Sequence, residues 1–448
     1  MPNDLIRQTL RRAKKDKVTF IDLQFTDFLG NIKVVTTPVA RLERAVRKGI
    51  WFDGSSVEGF ARIHESDMYL LADPSTYTLI PFRNDGTGGN IARLICDVYT
   101  PAYKPFEGDP RYILKKVTNE AKKMGYIYKV GPELEFFLFP KDKEDKIVPA
   151  SKGNGYYFSL ILDESYQIKK EIVETLKVMG IASESITHEA ADNQHEIDLV
   201  YGDALTIADN TITLKLVIKA IARRHGLHAS FMPKPIFGVS GNGMHTHQSL
   251  WKTNKNAFYN AGDKYHLSKT AYQFLAGQLK YVKEVAAIIA PTVSSYKRLT
   301  PGFEAPAYIC WAKRNRSALV RIPESSKGDE ETGTRIELRC PDPSCNPYLA
   351  FAVMLESGLK GIKKEMKPPN PVEEDVYEFD DSKLSKFYIE KLPGSLKEAL
   401  DFMEKGNLVK EVFGDYAFRR YLETKKLEWD SFRTWVTDWE LNRYLPNV

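Results

Sequence analysis

A mixed α and β chain in two domains is what this sequence of 448 residues predicts, and three patterns carry that reading. Stretches such as residues 131–138 alternate side chains with the period of a strand. Others, such as residues 109–125, space apolar residues as an amphipathic helix does and carry helix-end signals. Between them Pro101, Pro105 and Pro110 mark a boundary, dividing the chain into residues 1–105 and 106–448.

In the first part, residues 18–39 read as a β-hairpin turning near Gly30 and Asn31, with a short helix around residues 42–48. Phe52-Asp53-Gly54-Ser55-Ser56 reads as a turn rich in hydrogen-bonding groups. Residues 79–97 read as two more strands around a loop at 84–90.

The second part opens with Asp109 as an N-cap and Pro110 at the first helical position. Ile113, Val117 and Ala121 form the apolar stripe of that helix, and Gly125 ends it. In the strand that follows, Glu133, Glu135 and Phe137 share one face while Leu134, Phe136 and Leu138 share the other. Glutamate is a poor strand former, and two on one face repel. The pair belongs either to a solvated face or to a cavity or metal site. The aromatic density around it favours a central strand and the second alternative. Residues 141–155 read as a polar loop, and 164–180 and 205–225 as helices, the second ending at Gly226.

Further chemistry lies in four segments. His188-Glu189 and His195-Glu196 flank a turn signal at Asp192-Asn193, which lets the two carboxylates meet across a bend. The glycine-rich run from Lys234 to Gly243 feeds a strand on which His245, His247 and Ser249 share a face; such loops bring backbone N–H groups to an anion. No Gly-Lys-Ser/Thr opens a helix there, so it is not a P-loop. Lys297, Arg298, Arg314, Arg316 and Arg321 form a cationic cluster that is ordinary surface charge unless some point inward. Residues 335–339 read as a strand with Arg335, Glu337 and Arg339 on one face, ended by Pro341. Arginines so placed suit phosphate or carboxylate, and the glutamate between them suits a hard cation; a charge ladder on a wet sheet face is the plain alternative. Beyond Asn346 the pattern is mostly helical, interrupted at residues 366–372. The apolar helix at residues 435–445 reads as docking onto another subunit.

Composition narrows the function classes. The 43% hydrophobic content is ordinary, and no apolar run approaches the ~20 residues of a membrane span. The N-terminus lacks the apolar core of a secretory signal. Four cysteines without zinc or redox spacing fit a reducing cytoplasm. A net charge of +5, spread without a basic tract, argues against nucleic acid as a partner.

Taken together, the motifs resemble the type I glutamine synthetases of bacteria and archaea. The resemblance covers nearly the whole chain, from Phe52-Asp-Gly-Ser-Ser through Gly131-Pro-Glu-Leu-Glu-Phe-Phe, the 188–196 segment, 234–249, 297–306 and Asn315-Arg-Ser-Ala to 335–349. It implies an α+β fold: a small β-grasp-like N-terminal domain on a catalytic domain with a curved antiparallel sheet and surrounding helices. It implies ligation of ammonium to L-glutamate with ATP, through γ-glutamyl phosphate.

The implied roles fall on named residues. Glu135, Glu189 and Glu196 correspond to ligands of one divalent ion, and Glu133, His245 and Glu337 to those of a second, with Mg²⁺ or Mn²⁺ favoured by oxygen ligands and one imidazole. Arg298, Arg316 and Arg339 face glutamate or the transferring phosphoryl group, with Ser240 and Gly241 beside glutamate. Glu184, Tyr201, His247, Ser249, Arg316, Arg321 and Arg335 line the ATP site. Asp53 deprotonates ammonium, with Ser56, Glu189, Glu304 and Tyr157 around the same pocket (adjacent Tyr156 being the alternative to Tyr157). Glu304 also shields the intermediate. Asp53 would act in the neighbouring subunit's site, within a homo-dodecamer of two stacked hexamers, the C-terminal helix inserting into the facing ring. Arg62 corresponds to a glutamine-feedback residue of the subgroup without an adenylylation loop, and small regulatory proteins are further expected partners. Two other readings stand beside this one: a γ-glutamyl-amine ligase of the same fold, for a polyamine or methylamine, and a non-catalytic structural or regulatory relative.

Overall fold

The computed structural model describes residues 3–57, 67–83, 88–149 and 165–448. Among the described residues six strands, β1 (Val18–Thr26), β2 (Ile32–Pro38), β3 (Ile50–Asp53), β4 (Asp67–Ala72), β5 (Thr78–Leu79) and β6 (Asn90–Tyr99), form the N-terminal sheet. Its order is β2-β1-β6-β4-β3, with β5 on β6. The β1–β2 hairpin is the expected one: Gly30 takes φ +85°, and Asp27 accepts from the Asn31 N–H at 2.8 Å. β1 pairs parallel with β6, the mixed topology of the β-grasp arrangement expected above. Ile21, Leu23, Leu70, Leu94 and Val98 are fully buried between this sheet and the helices Asn3–Lys15 and Leu42–Arg47. The strands β3 and β4 were not legible in the sequence, where residues 52–56 read only as a turn.

The second sheet has eleven strands among the described residues: β7 (Ile127–Pro140), β8 (Ser183–His188), β9 (Gln194–Leu199), β10 (Gly202–Asp203), β11 (Leu227–Ser230), β12 (Met244–Lys252), β13 (Lys255–Asn256), β14 (Tyr308–Ala312), β15 (Ala318–Arg321), β16 (Ile336–Leu338) and β17 (Glu390–Lys391). Its path runs β17-β14-β15-β16-β12-β7-β9-β8, antiparallel except between β14 and β15. The alternation expected along β7 holds. Leu134, Phe136 and Leu138 enter the main core with Ile218, Phe274, Phe351 and Leu355, so Glu133 and Glu135 point to the opposite face.

The helices Lys269–Ile289 and Pro347–Lys363 cross closely beneath that core. A Cβ at Gly277 would lie 2.1 Å from the Ser357 carbonyl oxygen, and one at Gly361 2.1 Å from that of Gln273. Asp109 caps the helix Pro110–Lys123 by accepting from the Arg111 N–H at 2.9 Å, as the sequence predicts. Arg111 joins the N-terminal domain to the helix Ala204–Arg224. Its buried guanidinium reaches Asp73 (2.9 Å) and Asp97 (2.7 Å) on one side and Asp209 (3.0 Å) on the other. No helix among the described residues is long and apolar enough to cross a membrane.

Candidate active site

Strand register assembles the site. Glu133 of β7 stands opposite Asp198 of β9 and His245 of β12, and Glu135 stands opposite Glu196. His247 stands opposite Glu337 of β16, which stands opposite Arg321 of β15. Thr187 and Ser185 of β8 complete the row against Glu196 and Asp198. Because side chains in register share a face, residues as far apart as 133 and 337 meet in one cleft. Asn193, at φ +65°, makes the turn that places Glu189 and Glu196 at its two ends. Glu133, Glu135, Glu189, Glu196, His245 and Glu337 all line one cavity of about 260 Å³.

The carboxylates there are crowded and dry. Burial, reinforced by Glu189, pushes Glu135 up to about 8. Burial and Asp198 push Glu196 up to about 11. Burial and Glu304 raise Glu189 to about 7, and burial raises Asp198 to about 7 despite a hydrogen bond from Ser185. Glu133 goes the other way. Burial opposes its charge, but His245 Nδ1 at 3.1 Å and His247 Nε2 at 2.6 Å hold it below the ordinary carboxylate range. Glu337 is also held low against burial, by His247 and by Arg339, whose Nε donates at 3.2 Å, with Arg321 on its other oxygen.

Such a set fits divalent cations. Like charges about 4 Å apart repel by roughly 4 kcal/mol at an effective dielectric near 20, and two doubly charged ions offset most of that. Glu133, Glu196 and His245 offer ligand atoms that lie within 4.8 Å of one another. Carboxylate oxygens with one imidazole suit Mg²⁺ or Mn²⁺ rather than zinc.

The rim of this cavity is cationic. Arg298, Arg316, Arg321 and Arg339 line it with Ser240, Gly241 and Glu304. Arg298 is buried, and its guanidinium donates to the carbonyls of Arg339, Cys340 and Pro341 at 3.0–3.2 Å. Nη1 of Arg339 is buried with no hydrogen bond among the described residues. Gly241 cannot carry a side chain, since a Cβ would fall 2.1 Å from the Pro233 carbonyl oxygen. Glu304 sits at φ +57°, a costly backbone for a residue with a side chain.

A second cavity of about 450 Å³ adjoins the first across a shared wall of Glu133, Ser185 and Asp198. Glu184, Tyr201, His247, Ser249 and Arg335 line it. Tyr201 stacks on Trp251 with centroids 6.4 Å apart, and Lys129 Nζ lies 3.8 Å over the Trp251 ring. Trp251 donates to Ser249 Oγ at 2.9 Å.

One expected residue falls elsewhere. Asp53 ends β3, exposed, its carboxylate held below the ordinary range by the Ser55 hydroxyl (2.6 Å) and N–H (2.9 Å); it is not among the residues lining the two cavities. Tyr157 and Arg62 lie outside the described residues. Sequence reasoning missed Gln194 and Asp198, although Gln194, Glu196 and Asp198 alternate along β9 and so share the face of Glu196. It missed Lys129 and Trp251 too, which only cross-strand pairing brings to Tyr201.

Comparison with known proteins agrees with this geometry. Residues 17–101 match the glutamine synthetase β-grasp domain, and residues 107–444 match the glutamine synthetase catalytic domain. A glutamine synthetase of Clostridium saccharobutylicum is 48% identical over 434 residues, covering 97% of each chain. Among solved structures, a GmaS–ADP complex superposes with TM-score 0.88 at 30% identity, over 98% of this chain and 99% of that one. The Plasmodium falciparum glutamine synthetase superposes with TM-score 0.87 at 28% identity, over 99% and 98%. With both domains matched and near-half identity along its length, the chain belongs to the glutamine synthetase family.

Proposed function

We infer that the chain ligates ammonia to the γ-carboxylate of L-glutamate at the expense of ATP, forming L-glutamine, ADP and phosphate. The observation that carries this reading is the pair of adjoining cavities, one acidic with an arginine rim and one flanked by aromatic rings, sharing a wall. ATP lies in the second, with its base beside Tyr201 and its phosphates toward Arg335, His247 and Arg321. Glutamate lies in the first, against Ser240 and the Gly241 backbone, with Arg298 and Arg316 above it.

Two or more divalent ions would be held by Glu135, Glu189 and Glu196 and by Glu133, His245 and Glu337, and when bound they supply positive charge to phosphate oxygens. A γ-carboxylate oxygen attacks the γ-phosphorus, the bond to the β–γ bridging oxygen breaks, and ADP leaves. Arg316 and Arg339 meet the charge spread over the phosphoryl oxygens, a role that phosphoryl transfer requires of its cationic groups. Asp53 of a neighbouring subunit takes a proton from ammonium, with Ser56, Tyr157, Glu189 and Glu304 completing that pocket. The ammonia nitrogen then attacks the acyl carbon, the carbon–oxygen bond breaks, and phosphate departs carrying the proton that the nitrogen gives up. Glu304 closes over the acyl phosphate to exclude water.

The site is therefore shared between subunits. An exposed Asp53 and an exposed C-terminal segment around the helix Asp438–Tyr444 support this: Trp435, Trp439 and Leu445 are 72%, 65% and 75% exposed in the single chain. Large apolar side chains so uncovered favour burial in an assembly, a dodecamer of stacked hexamers, in the cytoplasm. The testing experiment is phosphate release from ATP with glutamate and Mg²⁺, comparing ammonium with methylamine and putrescine. Release dependent on ammonium supports the reading; release driven by an amine instead moves the chain to γ-glutamyl-amine ligation, and silence with every acceptor favours a non-catalytic role.

A further inference from the structure

Gln194 is 1% exposed and lies between the acidic cluster and the glycine loop. Its Nε2 is 3.1 Å from Glu135 Oε2, 3.1 Å from the Gly241 carbonyl oxygen and 3.3 Å from Asn242 Oδ1. Its Oε1 accepts from the Ala191 N–H at 3.3 Å. The orientation of the amide follows from these neighbours, because three oxygens surround the nitrogen and an N–H faces the oxygen. Asn242 is oriented in turn, since its own amide nitrogen donates to the carbonyls of Ser230 and Met232 at 3.3 and 2.9 Å. Glu135 Oε2 takes a second hydrogen bond from the Gly243 N–H at 2.8 Å.

Three pieces of the site therefore meet on one amide. They are the turn between Glu189 and Glu196, the Glu135 carboxylate, and the loop that presents Ser240 and Gly241. The two donated hydrogens face three acceptors, so a change in the charge or position of Glu135 redistributes the bonding to the Gly241 carbonyl. We propose that Gln194 is a positioning residue that couples cation occupancy at Glu135 to glutamate binding at the Gly241 loop. This rests on the assignment of Glu135 to a cation and of Gly241 to glutamate given above. Coupling between two ligands is reciprocal and measurable as a change in affinity, without turnover.

The test is calorimetric titration of the intact oligomer with Mn²⁺ alone, with L-glutamate alone, and with L-glutamate at saturating Mn²⁺. In the unaltered protein Mn²⁺ tightens glutamate by about fivefold or more. In Gln194→Met, which keeps the length and removes every hydrogen bond, each ligand still binds and the Mn²⁺ effect on glutamate falls towards one. Gln194→Glu, which keeps an acceptor for Ala191 but has no donor when ionised, shows the same loss and covers the case in which the methionine variant fails to fold. Retention of the coupling in either folded variant overturns the proposal, as does its absence from the unaltered protein when both ligands bind. Failure of the unaltered protein to bind Mn²⁺ or glutamate would instead overturn the underlying assignment of the site.

Discussion

Arg335 Nε lies 3.0 Å from Nδ1 of His247, and Nε2 of the same ring lies 2.6 Å from Glu133. The arginine can only donate, so Nδ1 accepts and the proton sits on Nε2, where it holds the Glu133 carboxylate. One side chain lining the second cavity thereby sets the state of a carboxylate in the wall between the two cavities. Arg335→Ala frees the ring to take either tautomer. Steady-state kinetics should then show KM for ATP raised by about tenfold or more, the loss of one charge-assisted contact, with KM for glutamate little changed.

Metal removal should make stability fall with pH. Glu135, Glu189, Glu196 and Asp198 are all raised above ordinary carboxylate values, to about 8, 7, 11 and 7. A raised carboxyl binds its proton more tightly folded than unfolded, so its stabilising effect is complete below about pH 4 and is lost as pH climbs to the folded value. Thermal melts in chelator should therefore show Tm declining from pH 5 through pH 8 and beyond. Saturating Mn²⁺ should flatten that decline, its stabilising effect growing with pH. A Tm in chelator that rises over this range would contradict the electrostatic reading.

Glu304 occupies a strained backbone in the lining of the first, acidic cavity. If its carboxylate closes over the acyl phosphate, Glu304→Ala should let water compete with ammonia. Phosphate released should then exceed glutamine formed in parallel assays, whereas the unaltered protein keeps the two equal.

Shared sites predict complementation. Asp53→Ala and Arg339→Ala proteins, each alone, should have little activity. Co-assembled in equal amounts they should regain about a quarter of the full activity, because random pairing builds that share of sites from two intact halves. No recovery in verified mixed oligomers would place Asp53 in its own chain's site.

Arg111 holds three carboxylates from both sides of the domain junction. Arg111→Ala strips the guanidinium from Asp73 and Asp209 and leaves Asp97 with Lys115 alone, and breaking buried pairs of this kind costs about 3–5 kcal/mol. Denaturant unfolding should register that loss, while Mn²⁺ affinity at the distant acidic cluster stays unchanged.

Much of this site could be read from residue order. The strict alternation of Glu133 and Glu135 against Leu134, Phe136 and Leu138 announced a two-faced strand, and β7 is one. Asp109-Pro110 announced a helix start through local hydrogen bonding alone. What stayed hidden depends on pairing between distant strands. β3 and β4 are held by Ile50 facing Leu70 and Trp51 facing Tyr69, contacts that no local period records. Gln194 went unread beside the Asp192-Asn193 turn signal, and only its position at the head of β9 turns it inward. The cationic cluster with Arg298 left surface charge and an inward role both open by local pattern; Arg298 is buried, with three carbonyls receiving its guanidinium.

The row of paired strands that builds the cleft has a consequence for the chain while it is being made. Glu133 emerges from the ribosome about 200 residues before Glu337, and at 5–20 residues per second that interval is about 10 to 40 s. During it β7 and β9 exist without β16, and their carboxylates lack the arginines that later close the row. Until β16 arrives, the row lacks Glu337 and the Arg339 that holds it, so the cleft is complete only once translation has passed residue 339.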